Sequence, residues 1–292
     1  MKRGWKIFWI IIASVTAFGI VFSCIALGLG FTFSTFRAAY PNGIGIIKDR
    51  EDDDWEDDWD ERTRVEPSED VMKFEDVTEL DVSVGFCEVV IAQSDDELTK
   101  VDTSGLDFKK SGKDISVHEE NGVLSIEMQE NGSSWNALSH LKGTHNYGTL
   151  YIYLPESSTL ESAELILGAV DVQIDVLKVR NLDMKIGATD CKVDSLEADT
   201  VNMEVGAGDL EIRGAIYGDV DVKCGAGSVG LELEGQETDF NYAVEGGIGA
   251  IDIGEHMEFE GIAVSKNIDN GSNKTMDLQC GAGEIEVSFR HK

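Results

Sequence analysis

Proline is nearly absent from this chain, with 3 in 292 residues. That excludes polyproline and collagen-like architectures and leaves strand runs free of the residue that interrupts sheet ladders. Basic residues are also scarce, 24 Lys and Arg against 56 Asp and Glu, for a formal net charge of -32. A surface so acidic repels nucleic-acid phosphates and anionic lipid headgroups, so neither is expected as a partner. The five cysteines show no CxxC spacing, which argues against a zinc site, and a chain this long does not need a disulfide framework. No G-x-S-x-G, H-E-x-x-H or P-loop motif is present, and the five histidines share no pattern. No catalytic residue, cofactor or metal is therefore expected.

The charge is distributed unevenly. Residues 1–48 carry five bases and no acid, residues 49–70 a net charge of -10, and residues 71–292 a net charge of -27. Ile7 to Phe33 is free of charge over 27 residues, where about 20 span a bilayer core. Lys2, Arg3 and Lys6 precede it, so the positive-inside rule places the N-terminus in the cytoplasm. A cleaved signal peptide is the main rival, but the run is too long for its apolar region. Val21-Phe-Ser-Cys24 loosely matches a lipidation box, yet the apolar run continues past Cys24. The segments predicted are a cytoplasmic basic tail over 1–6, a transmembrane signal anchor over 7–33, an acidic disordered linker over 34–70 and an extracytoplasmic domain over 71–292. That order predicts a single-pass membrane protein with its N-terminus in the cytoplasm and its C-terminal domain outside.

Asp49 to Glu61 is a run of like charge, which repels itself and stays extended. Its plain reading is a spacer. Its functional reading is a site for cations or cationic peptides, with Asp52, Asp53, Asp54, Asp57 and Asp58 as the charges and Trp55 and Trp59 as cation–π anchors.

The rest of the chain is organised by a repeat. Gly168, Gly187, Gly206 and Gly225 are nineteen residues apart. Gly85, Gly247 and Gly281 open related segments, and all seven glycines are followed by apolar residues four and six positions later. Apolar residues also stand one, three and five before the four regular glycines, as in Val201, Met203 and Val205 before Gly206. A fixed period near 20 with period-2 alternation is a solenoid signature. The expected fold is all-β: a parallel β-solenoid of about 19 residues per coil, preceded by β-hairpins and the N-terminal helix. Successive coils would pair about 4.8 Å apart with these columns inward. Gly-Ala-x-Asp would form a corner, its Gly chosen for unusual dihedrals. Asn121-Gly122 signals a tight hairpin. The polar stretch Asn131–Gly148 reads as a loop. The N-terminal hairpins and Val287-Ser-Phe289 would cap the ends.

Asp171, Asp190 and Asp209 share one column with Glu88 and Glu284, three after the corner glycine. The spacing does not match calcium β-rolls, so the expected role is capping of corner N–H groups. Cys191, Cys224 and Cys280 fall in inward columns and are expected to pack as small hydrophobes.

The strand-Pro pair Leu150-Tyr-Ile-Tyr-Leu-Pro155, followed by coils carrying Gly-Ala-Gly-Asp-Leu-Glu-Ile, resembles the bacterial adhesin-like family known as domain of unknown function 4097. The resemblance runs from about Phe74 to Phe289. It implies a β-solenoid, often membrane-tethered, on the bacterial surface, and hence a bacterial plasma membrane for the predicted anchor, with roles in adhesion or envelope-stress signalling and no agreed catalytic residues. The Ser-Gly-Ser-Gly-Asp type of corner common in such domains reads Gly-Ala-Gly-Asp here. Envelope proteins, polysaccharide or, through the acidic linker, cationic peptides are the expected partners. A carbohydrate-active enzyme on the solenoid face is the alternative.

Overall fold

In the computed structural model, residues 71–94, 96–107, 113–130, 148–168, 171–254, 256–260 and 263–290 are described. The transmembrane segment and acidic linker expected before residue 71, and most of the Asn131–Gly148 loop, lie outside them. Among the described residues no helix is long and apolar enough to cross a membrane.

The strands are β1 (Met72–Phe74), β2 (Glu79–Val84), β3 (Glu88–Ser94), β4 (Thr99–Asp102), β5 (Lys113–Glu120), β6 (Val123–Glu130), β7 (Thr149–Pro155), β8 (Leu160–Leu167), β9 (Val172–Ile186) and β10 (Asp190–Val205). They continue as β11 (Asp209–Ile216), β12 (Val220–Cys224), β13 (Ser228–Glu234), β14 (Asn241–Gly246), β15 (Ala250–Ile253), β16 (Met257–Glu260), β17 (Val264–Ile268), β18 (Thr275–Cys280) and β19 (Glu284–Arg290). One 3-10 turn, Glu237–Asp239, interrupts them. The expected β-solenoid is borne out in these residues.

Two faces meet at the corner glycines. Strands entering the corner stack in parallel in the order β6, β2, β8, β9, β10, β12, β18, β14. Strands leaving it stack in parallel in the order β7, β3, β9, β10, β11, β13, β19, β15. β9 and β10 serve both faces, running on through the far corner. The register follows the repeat, so Met203 pairs with Met184 and Val222. The predicted columns form the core: Leu165, Met184, Met203, Val222, Ile174, Val193, Ile212 and Leu231 are all buried.

Stacking order departs from chain order at the end. The coil of Gly281 inserts between the coils of Gly225 and Gly247, because β18 and β19 pair on one side with β12 and β13 and on the other with β14 and β15. Val287 to Phe289 therefore do not cap the solenoid. The caps are antiparallel strands at both ends: β5 on β6 and β4 on β7 at the first, β17 on β14 and β16 on β15 at the second. A coil edge left open would template association, and a short antiparallel strand closes it. The first cap includes the predicted hairpin, whose Asn121 (φ 58) and Gly122 (φ 85) supply the positive φ of a tight turn.

The corner glycines are needed for a reason other than dihedral freedom. None of the seven lies in the left-handed region. Six are wedged against the neighbouring coil: a Cβ on Gly206 would stand 2.7 Å from the carbonyl oxygen of Gly187, and one on Gly225 would stand 2.6 Å from that of Gly206. Those oxygens cannot retreat, since Gly187 O accepts the Ala207 N–H at 2.8 Å and Gly206 O that of Ala226 at 2.8 Å. Gly85 ends the ladder, and a Cβ there would meet nothing within 4 Å. Gly206→Ala should therefore cost about 1–3 kcal/mol, the usual range for an inserted methyl that the core cannot absorb, while Gly85→Ala should be nearly neutral. Thermal melts of the two variants check this, and equal losses would contradict the wedge.

Candidate functional site

In-register stacking places side chains nineteen residues apart directly beside one another. On the entering face this builds a row four positions before six of the corner glycines: Asp81, Glu164, Asp183, Asn202, Asp221 and Asp277. Two positions earlier a second row holds Glu79, Ser162, Asn181, Thr200, Asp219 and Thr275. The two rows line a trough of about 620 Å³ with seven carboxylates and no lysine or arginine among its lining residues.

Amides and hydroxyls interleave the acids and join neighbouring coils. Asn202 Nδ2 donates to Asp183 Oδ2 (3.0 Å), Thr200 Oγ1 to Asn181 Oδ1 (2.7 Å) and Ser162 Oγ to Glu79 Oε2 (3.1 Å). Asn202 Oδ1, itself buried, accepts no protein hydrogen bond. On the corner side, Lys185 bridges Glu164 (3.1 Å) and Asp183 (3.3 Å), and Lys223 meets Asp221 (3.2 Å). At the first end of the trough, burial raises the Asp81 carboxyl above its ordinary range, with Glu164 and Glu127 adding to it and His118 opposing.

The row was missed by a reading centred on the residues after the glycine. Its signal was nevertheless present, as a polar column of period nineteen four places before it.

The column after the glycine is as predicted in place but not in role. Asp190 pairs with Asp209, Asp209 with Ser228 and Ser228 with Glu284, all along one corner. Asp171, Asp190 and Asp209 are exposed. The corner N–H groups they were expected to cap donate instead to carbonyl oxygens of the adjacent coil, as Ala188 N to Gly168 O (2.9 Å) and Asp209 N to Thr189 O (2.9 Å). The acids thus face like charges with little relief beyond Ser228 Oγ donating to Asp209 Oδ1 (2.7 Å). Although its residue is exposed, the Asp190 carboxyl is held above its usual value, first by partial loss of solvent at the corner and then by Asp209, Asp171 and Glu211. Among the described residues no three His, Cys, Asp or Glu side chains are placed to hold a metal ion. Asp52, Asp53, Asp54, Trp55, Asp57, Asp58 and Trp59 lie outside the described residues. Gly85, Gly168, Gly187, Gly206, Gly225, Gly281 and Gly247 form the corner ladder in that order, flooring a second trough of about 1040 Å³ from Gly168 onward.

On the leaving face Asp175 is pushed up to about 6, by burial and then by Asp194, with Gln173 Nε2 donating at 3.4 Å in opposition. A folded-state value above the ordinary 3.8 means that the folded chain holds a proton the unfolded chain has released, so stability falls as pH rises from about 4 to about 6. That displacement corresponds to roughly 3 kcal/mol at most, discounted to about 1 kcal/mol for a half-buried group. Asp175→Asn should raise the melting midpoint at pH 7 by about 2–4 °C and leave it unchanged at pH 4. Melts at the two pH values check this, and an equal change at both would assign the effect to packing.

No curated protein matches the chain. Among solved structures, it is similar to a candidate cell adhesion protein from Clostridium sporogenes at 16% identity, covering 77% of this chain and 100% of that one with a TM-score of 0.40. A candidate adhesin from Bacteroides fragilis matches at 14% identity over 77% and 100% of the two chains, TM-score 0.31. A candidate lipid-binding protein from Parabacteroides distasonis matches at 11% identity over 74% and 95%, TM-score 0.30. The profile of the Toastrack DUF4097 family matches residues 77–292, close to the span over which the resemblance was read, and the chain belongs to that family.

Proposed function

We propose that this protein is a non-enzymatic interaction module of the bacterial cell envelope. Its solenoid is carried outside the plasma membrane on one N-terminal span and an acidic tether, and it engages a cationic partner through the entering face. The observation that carries this reading is the trough itself, seven carboxylates with no basic residue in its lining. Such a surface attracts cations from a distance and sorts partners by charge more than by shape. Its ladder of carboxylates, amides and hydroxyls at a spacing of about 4.8 Å suits an extended ligand laid across the coils. The charge-free run of residues 7–33 and the acids of 49–61 support the anchor and tether. Adhesion and envelope-stress sensing are two uses of the same contact.

The carbohydrate-active alternative gains little from the geometry. Neither trough is lined by an aromatic ring on which a sugar could stack. The carboxylates form rows rather than a facing pair about a scissile bond.

Calorimetry of the full chain with decalysine and with spermine tests the proposal. Binding should weaken steeply with salt. The triple variant Glu164→Gln, Asp183→Asn, Asp221→Asn should bind roughly tenfold more weakly, about 1.4 kcal/mol. Neutralising Asp52, Asp53, Asp54, Asp57 and Asp58 should leave the trough contribution in place. No binding by the parent chain sinks the proposal, and loss only in the second variant moves the site to the tether.

A further inference from the structure

The residue immediately before the corner glycine runs Leu167, Ile186, Val205, Cys224, Cys280, Gly246 along the stack. Chain order would set Cys224 beside Gly246. Insertion of the Gly281 coil makes Cys224 and Cys280 direct register partners on parallel strands β12 and β18. Adjacent strands lie about 4.8 Å apart, inside the range of Cα separations that a disulfide bridges.

The two thiols belong to inward columns at the same corner, and each displaces the other's titration. Cys224 Sγ also donates to Gly227 O at 3.1 Å. Room for the sulfurs comes from glycines in the following coils. A Cβ on Gly283 would stand 2.9 Å from Cys224 Sγ, and one on Gly249 would stand 2.6 Å from Cys280 Sγ. Cys191, by contrast, pairs with Val172 and Leu210 and has no thiol beside it in the ladder. Both Cys224 and Cys280 are 3% exposed, yet they line the corner trough, so a small reagent needs only a local opening of that corner to reach them.

We propose that Cys224 and Cys280 form a reversible disulfide that bolts the inserted coil to its neighbour. The co-reactant is a low-molecular-weight disulfide such as oxidised glutathione. The Cys224 thiolate attacks one of its sulfurs, the S–S bond breaks and the first thiol leaves with the electron pair. Cys280 then gives up its proton and attacks Cys224 Sγ, expelling the second thiol. Two protein thiols are oxidised, one external disulfide is reduced, and the protons pass to the departing thiolates. Cys224 is written as the first nucleophile because its thiol is held below the ordinary range while that of its partner Cys280 is raised. The bond would close a loop containing β13 to β17, the whole second cap, and so restrict the unfolded chain strongly.

The full chain is incubated with oxidised glutathione or with a phosphine reductant, blocked with N-ethylmaleimide, digested and mapped by mass spectrometry, with thermal melts in parallel. The expected result is a Cys224–Cys280 linked peptide pair and a midpoint raised by about 10 °C that reductant reverses. Cys224→Val, which places the residue of Val205 in the same column, should melt like the reduced parent and lose the shift, and Cys280→Val should do the same. Separate maleimide labels on Cys224 and Cys280 after oxidation overturn the proposal. So do linkage to Cys87, Cys191 or a second chain, and linkage with no rise in midpoint.

Discussion

The structure depends on how closely one coil can approach the next at the corner. Backbone ladders fix the spacing at about 4.8 Å, and at the corner those ladders continue without a break, from Gly187 N to Leu167 O (2.8 Å) through Asp209 N to Thr189 O (2.9 Å). No side chain fits between backbones held that way. The third corner position tightens the same contact in later coils, where a Cβ on Gly227 would fall 1.8 Å from Gly208 O. Glycine here is selected by absence of volume, and the period of the repeat is the length of chain needed to return to that contact.

Once the spacing is set, every outward column becomes a ladder of neighbours at one coil repeat. Inward columns gain from this, since Met beside Met or Val beside Leu packs without a polar mismatch. Acidic columns suffer, because like charges directly opposite destabilise a sheet pair. The chain limits the damage unevenly. Beside the trough Lys185 and Lys223 are set among the acids of the entering face, and Asn202 breaks the carboxylate row and donates to Asp183. At the corner, only Ser228 interrupts Asp171, Asp190 and Asp209 on the way to Glu284, and their repulsion adds to the desolvation that displaces the Asp190 carboxyl upward. Charge left unrelieved in a structural column is charge available to a partner.

Much of this was legible before any coordinates. Gly, then apolar residues at four and six, located all seven corners, and the buried columns followed from period-2 alternation. The hairpin at Asn121-Gly122 was equally local. Stacking order was not legible, and the reason is physical. Every coil offers the same inward pattern and the same corner, so Val222 can sit beside Val244 or Leu278 with equal apolar fit. What selects between them lies in the caps, where β14 and β15 take antiparallel partners from β17 and β16 and turn their free side outward. The burial of Cys191, Cys224 and Cys280 was foreseen, but the adjacency of the last two depends on that same choice. The entering-face row was readable in principle. It was overlooked because Asp after Gly suggests a corner site, whereas Asp183 and Asp221 four places earlier resemble ordinary solvent-facing strand residues.

The inserted coil also sets a timetable for synthesis. As the chain leaves the ribosome, β14 and β15 emerge before the strands that will separate them from β12 and β13. Until β18 and β19 arrive, the earlier coils end on an unpartnered ladder, and the second cap exists as a small antiparallel sheet with a vacant parallel edge. The last strands fill both edges at once, so the two halves become one sheet only when nearly all of the described residues have been made.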